Sequence, residues 1–283
     1  MKIITCIAPV NIATIKYWGK RDTELILPLN DSISVTLSTD QMHSKTTVAI
    51  DPDFKNDRMW LNGKEQSVDN PRFAQCLKEI RRRVQDKHGD IADWKYHICS
   101  ENNFPTAAGL ASSAAGYACL GFAQAISDRD FATFGAVTMQ DSNQFHAVCL
   151  DTYPPIVYMN ETSHAIVDFV HKYNQMANQV KLAYTFDAGP NACLFLLEQD
   201  VDDVIAHLRH LFPPTENSAA NYVRGIPVFE QVQLHKDIQP VGTPHEKGQL
   251  KYIIHTKVGD GPQVLNDENE HLLMPDGLPK CFI

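Results

Sequence analysis

Apolar and polar positions alternate along "SISVTLS" (32–38), where Ile33, Val35 and Leu37 point one way and Ser and Thr the other. That period of two is the pattern of a half-buried strand. It returns in "WKYHICS" (94–100). Between them, "RMWLNGKE" carries Asn62-Gly63, a pair favoured in two-residue hairpin turns. The period then changes. Asn70 can cap a helix, Pro71 suits its first turn, and Phe73, Leu77, Ile80 and Val84 form one apolar face that stops before Gly89. Residues 164–174 and 201–212 also read as helices, and 181–186, 192–198 and 251–258 as strands. "MKIITCIAPVNIA" reads as a first strand and not a leader, because Pro9 and Asn11 interrupt the apolar run and no cleavage-like boundary follows. Residues 213–249, with Pro213, Pro214, Pro227, Pro240 and Pro244, read as an exposed, loop-rich segment. Strands and helices are mixed, yet tight hairpins are present. The expectation is an α+β fold and not a purely parallel doubly wound sheet.

"FPTAAGLASSAAGYACL" fits neither period cleanly in its first half, where small residues crowd together. Small side chains let a backbone approach a ligand closely, and the N-terminus of a following helix offers unpaired N–H groups to an anion. Ser112 and Ser113 add hydroxyls. No Gly-Lys-Ser/Thr follows, so this is not a Walker A loop. By itself the stretch is more often a Ser-capped, Ala-rich helix entry packed on a sheet.

Composition narrows the function classes. The 283 residues suffice for one large domain or two modest ones without disulfide or metal staples. A net charge of −9 argues against a general nucleic-acid surface, but not against a local basic pocket for a small anion. The seven cysteines are scattered, odd in number and without a CxxC pair, which predicts reduced thiols in a cytoplasmic chain. No apolar run approaches the ~18 residues of a membrane span. The ending "PKCFI" is not a prenylation box, because Cys281 stands third from the end.

Three separated motifs occur in order: "APVNIATIKYWGKRD" (8–22), "FPTAAGLASSAAG" (104–116) and "YTFDAGPNA" (184–192). With "WLNGKE", "DSNQFHAVCLDTYPPIVYMN", "VGDGPQVL" and "PDGLPK", they closely resemble the mevalonate diphosphate decarboxylase family. That family sits among small-molecule kinases including galactokinase, homoserine kinase and mevalonate kinase. The resemblance covers most of the chain and implies a two-layer kinase-type fold. Its N-terminal part (1–120) would be ribosomal-S5-domain-2-like and ATP-binding, and its C-terminal part (121–283) ferredoxin-like.

The implied reaction is ATP-dependent decarboxylation of mevalonate 5-diphosphate, with Mg²⁺ carried by ATP and no protein metal site. Residue by residue, Asp187 matches the catalytic aspartate. Lys20 matches a lysine beside the reacting oxygens. Tyr17, Trp18, Gly19 and Lys20 match the substrate-diphosphate segment, and Asn11 an amide near the substrate carboxylate. Arg72 matches an arginine on the diphosphate. Ala108, Gly109, Leu110, Ala111, Ser112 and Ser113 match the ATP-phosphate cradle. Without the resemblance, Asp187 in "FDAGPN" reads as hairpin-turn chemistry. His146 reads as a packed, hydrogen-bonded histidine. Met139, Asp141 and Asn143 are candidates for the substrate side of a cleft.

One departure stands out. In the family, the helix after the phosphate loop precedes a further stretch on the scale of a small domain, with a Ser-Gly-Ser-Ala-Cys-Arg motif. Here "ASSAAGYACL" runs directly into "GFAQAISDRDFATF", and that motif is absent from the sequence. The missing arginine would have clamped the substrate carboxylate beside Asp187. Two alternatives follow: a catalytically silent shortened form that binds nucleotide or a full-length partner, and a simple small-molecule kinase. The resemblance also implies a cytoplasmic homodimer that works without nucleic acid or membrane.

Overall fold

The computed structural model describes residues 1–16, 19, 21–22, 32–91, 93–104, 129–228 and 241–280. Its chain groups into two compact units, each of separated segments. Met1–Val10, Leu37–Thr106 and Gly259–Ile283 make the first, and Asn11–Thr36 with Ala107–Val258 the second. The units therefore differ from the sequential halves 1–120 and 121–283.

The first unit is a sheet covered on both faces. Its strands are β1 (Lys2–Pro9), β4 (His43–Asp51), β5 (Arg58–Leu61), β6 (Lys64–Gln66), β7 (Lys95–Asn102) and β12 (Gln263–Leu265), in the order β12-β1-β4-β7-β5-β6. The β5–β7 pair is parallel and the others antiparallel. Strand alternation sorts the side chains into two cores. Tyr96 and Ile98 pack with Val48, Ile50, Met59, Phe73 and Leu77. Ala49 and Cys99, one residue out of step, join Trp60 and Leu273. Helix α1 (Pro71–His88) supplies Phe73 and Leu77 to the first core, while Ile80 stays 38% exposed, so the apolar face is shorter than its periodicity suggests. Asn62 and Gly63 both hold positive φ, 48° and 75°, as the expected hairpin turn between β5 and β6 requires.

The expected first strand is in fact two. β1 ends at Pro9, and β2 (Asn11–Ile15) pairs instead with β3 (Ile33–Thr36) in the second unit. That unit contains helices α2 (Phe131–Leu150), α3 (Glu161–Ala177) and α4 (Val201–Leu211). It also holds the β8 (Leu182–Phe186)–β9 (Ala192–Leu196) hairpin and the parallel pair β10 (Val223–Gly225)–β11 (Ile253–His255). The strand expected over 251–258 is thus only three residues long. Phe169, Val170, Tyr184, Phe186, Leu208 and Phe212 are central to its core.

Helix α2 lies against both β2 and β8. Gly135 permits the approach: a Cβ there would stand 2.8 Å from Val180 Cγ1 and 3.1 Å from Ala183 Cβ. Helix α3 starts with a reciprocal cap in which Asn160 Oδ1 accepts from the Ser163 N–H (2.9 Å) and Ser163 Oγ accepts from the Asn160 N–H (3.2 Å). Asn160→Ala is expected to lower stability by about 1 kcal/mol, read as a lower urea midpoint at unchanged m-value.

Candidate functional site

Two chain segments bring opposite charges together inside the second unit. The run Ile12-Ala13-Thr14-Ile15 is buried in β2 and delivers Lys16, which is fully buried. Strand β8, buried at every position, ends at Phe186, and Asp187 follows it, 7% exposed. The Lys16 ammonium donates to Asp187 Oδ1 and to the Ala13 carbonyl (2.9 Å), and stands 5.9 Å over the Phe145 ring.

Helix α2 holds the backbones of Lys16 and of Phe186, the residue before Asp187. Asp141 Oδ2 accepts the Lys16 N–H at 3.2 Å. One residue on, Ser142 Oγ accepts the Phe186 N–H (3.0 Å), and His146 Nε2–H donates to the Phe186 carbonyl (3.2 Å). Phe186, the residue before Asp187, is thereby fixed through both main-chain groups. At the turn itself, the Gly189 N–H donates to the Asp187 carbonyl (2.7 Å), and Ser163 Oγ donates to the Pro190 carbonyl (3.1 Å). The "DAGPN" stretch is therefore the hairpin turn that its composition suggests. Its aspartate nevertheless points into the protein. A turn aspartate serving only its own loop would not be buried on a lysine.

Burial shifts several groups nearby. Desolvation pushes the Asp141 carboxyl up to about 6, against the opposing pull of the Lys16 N–H and charge. Desolvation, helped by the Lys16 charge, lowers the His146 imidazole, in keeping with a neutral ring that donates from Nε2. Cys193, opposite Thr185 in the β8–β9 pair, is pushed by burial up to about 12. At pH 8 this thiol is expected to alkylate at least tenfold more slowly than the exposed Cys76; peptide mass mapping of timed labelling checks it.

The raised Asp141 carboxyl also has a consequence for stability. A carboxyl whose folded pKa exceeds its unfolded value contributes stability at low pH that is lost as pH rises through the folded pKa, here about 6. Asp141→Asn, neutral and still able to accept the Lys16 N–H, is expected to melt above the parent at pH 8. The difference should shrink toward pH 5 in paired thermal melts.

Of the residues singled out by sequence, Asp187 stands at the centre of this arrangement. Asn11 opens β2 with an exposed side chain, and Gly19 is exposed with φ 49°, a left-handed conformation that favours glycine. Arg72 is the second residue of α1, in the other unit. Tyr17, Trp18, Lys20 and the cradle residues Ala108, Gly109, Leu110, Ala111, Ser112 and Ser113 lie outside the described residues. Met139 is buried in the hydrophobic core, which corrects its assignment to a cleft wall. Asn143 is exposed and accepts the Tyr184 hydroxyl (2.8 Å), while His146 is packed and hydrogen-bonded.

The sequence reading did not single out Lys16, whose ammonium meets Asp187, and the lysine it did name, Lys20, lies outside the described residues. The signal was the run Ile12-Ala13-Thr14-Ile15 just before it, which carries no charge and is buried at all four positions.

Similar proteins identify the family of this chain. The family described as "Diphosphomevalonate decarboxylase-like N-terminal domain" matches residues 8–142, and "Mevalonate 5-diphosphate decarboxylase C-terminal domain" matches 118–265. The chain belongs to the diphosphomevalonate decarboxylase family. A Bos taurus diphosphomevalonate decarboxylase is 40% identical over 391 aligned positions, covering 98% of this chain and 97% of the relative. The solved mevalonate diphosphate decarboxylase from Trypanosoma brucei superposes with a TM-score of 0.78 at 27% identity, covering 96% of this chain and all of that one. A protein described as MDDEF in complex with MVAPP, AMPPCP and magnesium shares the fold, with a TM-score of 0.67 at 17% identity.

The Bos taurus alignment runs over more positions than this chain has residues, so the relative carries sequence that this decarboxylase-family chain lacks. The two family matches overlap over 118–142, around the place where the sequence departs from the family.

Proposed function

We propose that this chain performs the family's reaction, ATP-dependent decarboxylation of mevalonate 5-diphosphate to isopentenyl diphosphate, with release of ADP, phosphate and CO₂. The observation that carries it is the buried Asp187 carboxylate, aimed from the end of β8 and held on the Lys16 ammonium. The substrate's tertiary hydroxyl must give up its proton as it takes the phosphoryl group that ATP supplies. A fixed carboxylate accepts or orients that proton, and a fixed ammonium beside it offsets anionic charge as it gathers.

The family pattern assigns the substrate diphosphate to Tyr17, Trp18, Gly19, Lys20 and Arg72. It assigns the substrate carboxylate to Asn11 and the ATP phosphates to residues 108–113. The family pattern puts Mg²⁺ with the ATP phosphates. The MDDEF complex, which contains MVAPP, AMPPCP and magnesium, supports ATP and Mg²⁺ as the co-substrate pair. We place the chain in the cytoplasm as a homodimer, feeding isoprenoid and sterol synthesis. No helix among the described residues is long and apolar enough to cross a membrane.

A second reading has an observation of its own. The sequence present in the Bos taurus relative and lacking here favours a shortened form that binds nucleotide without turnover. The deciding experiment counts ¹⁴CO₂ from carboxyl-labelled mevalonate 5-diphosphate with MgATP, alongside ADP. Coupled release of both supports the decarboxylase. ADP without CO₂ indicates a kinase or ATPase. Neither product, from folded protein, supports the silent form.

A further inference from the structure

Asp141 has a peculiar position for a helix carboxylate. It is 4% exposed, and its Oδ1 is buried without a hydrogen-bond partner among the described residues. Its neighbours along α2, Thr138, Met139, Ser142 and Phe145, are buried as well. An ionisable group with an unsatisfied oxygen is costly to keep in such surroundings. Plain helix–strand packing would be served at lower cost by an apolar residue.

What Asp141 accomplishes lies across from it. The β2–β3 ladder ends at the Ile15↔Ile33 pair, after a register shift between Ala13 and Ile15. Ser32 Oγ takes the Ile15 carbonyl at 2.7 Å, and the chain then passes beyond the ladder. The next backbone donor is the Lys16 N–H, and Asp141 Oδ2 receives it. This residue's side chain must reach Asp187, so any slip of its backbone is carried directly to the ammonium.

We infer that Asp141 is a positioning residue, whose carboxylate holds the Lys16 backbone just past the end of the β2 ladder and so sets where the Lys16 ammonium meets Asp187. Its effect on turnover rests on the proposed decarboxylation; the geometry does not. Among the described residues, Lys16 from β2 faces it directly, Asp187 lies beyond Lys16 just after β8, and His146 stands further along α2 itself. Protonation makes Asp141 a poorer acceptor and removes its negative charge from the neighbourhood of Lys16. The position of Lys16 therefore follows the state of this one carboxyl.

The test is NMR of the full chain with ¹⁵N-labelled lysine, following the Lys16 amide and its Nζ from pH 5 to pH 8. Both signals should move together with one midpoint near the Asp141 value of about 6. In Asp141→Asn that shared titration should vanish. In Asp141→Ala both signals should be displaced at every pH. An amide that titrates while Nζ stays still, or a shared titration that survives in Asp141→Asn, overturns the inference. Should Asp141→Ala not fold, the parent and Asp141→Asn titrations decide alone. Where the parent turns over, Asp141→Ala is expected to lower kcat about tenfold with KM within twofold. A parent without turnover defeats the proposed function and leaves the NMR outcome intact.

Discussion

Asp187→Asn is expected to lower CO₂ release by about 10²–10⁴-fold, the range general acid–base groups contribute, and to destabilise the protein at the same time. Sequence alone gives only the first half, because a turn aspartate can be replaced without harm to a fold. The structure adds the second. Lys16 is fully buried, and Asp187 supplies the negative charge it faces. Asparagine can still accept a hydrogen bond through its amide oxygen, and the Ala13 carbonyl remains, but the charge that Asp187 carried is gone. Removing one partner of a buried ion pair costs about 3–5 kcal/mol. Turnover assays and urea unfolding on the same preparation separate the effects. Unchanged turnover would sink the catalytic assignment, and unchanged stability would show that the pair is not desolvated as described.

Lys16→Met should cost a comparable amount of stability and also silence turnover, for the mirror-image reason. The Asp187 carboxylate keeps its burial and loses its cation, and methionine fills the lysine stem's volume without the charge. The informative variant is the double one. Lys16→Met with Asp187→Leu removes both charges, and buried pairs replaced by apolar residues are often neutral in stability or better. Unfolding free energies should therefore be strongly non-additive, by about 3 kcal/mol or more, with the double variant more stable than either single one and still inactive. Additive losses would mean that the two charges do not act on each other.

How far the sequence reaches can be judged element by element. Helices Pro71–His88, Glu161–Ala177 and Val201–Leu211 and the hairpin at Asn62-Gly63 follow from periodicity, capping residues and turn chemistry. Each of those signals is local, set by the residues that form the element. The N-terminal strand was legible as extended chain, but its division at Pro9 into strands of two different sheets was not. Sheet membership depends on partners far along the chain, and no local pattern records them.

The candidate site divides in the same way. Asp187 was legible because its motif stands with two others in order. By composition alone it is turn chemistry, and the structure shows it to be both a turn residue and a buried anion. Lys16 escaped notice because lysines are ordinarily solvated, and only the burial of the whole β2 run makes this one different. Asp141 was only a candidate for a cleft wall, and its bond to a backbone 125 residues earlier has no trace in local sequence. Thus the sequence by itself determined the family, the reaction class and the carboxylate at the end of β8. Only the tertiary structure decided which cation faces that carboxylate and which helix holds the backbones of Lys16 and Phe186. Motifs preserve the identity of reacting groups, whereas the pairing of buried charges arises where segments distant in the chain exclude water together.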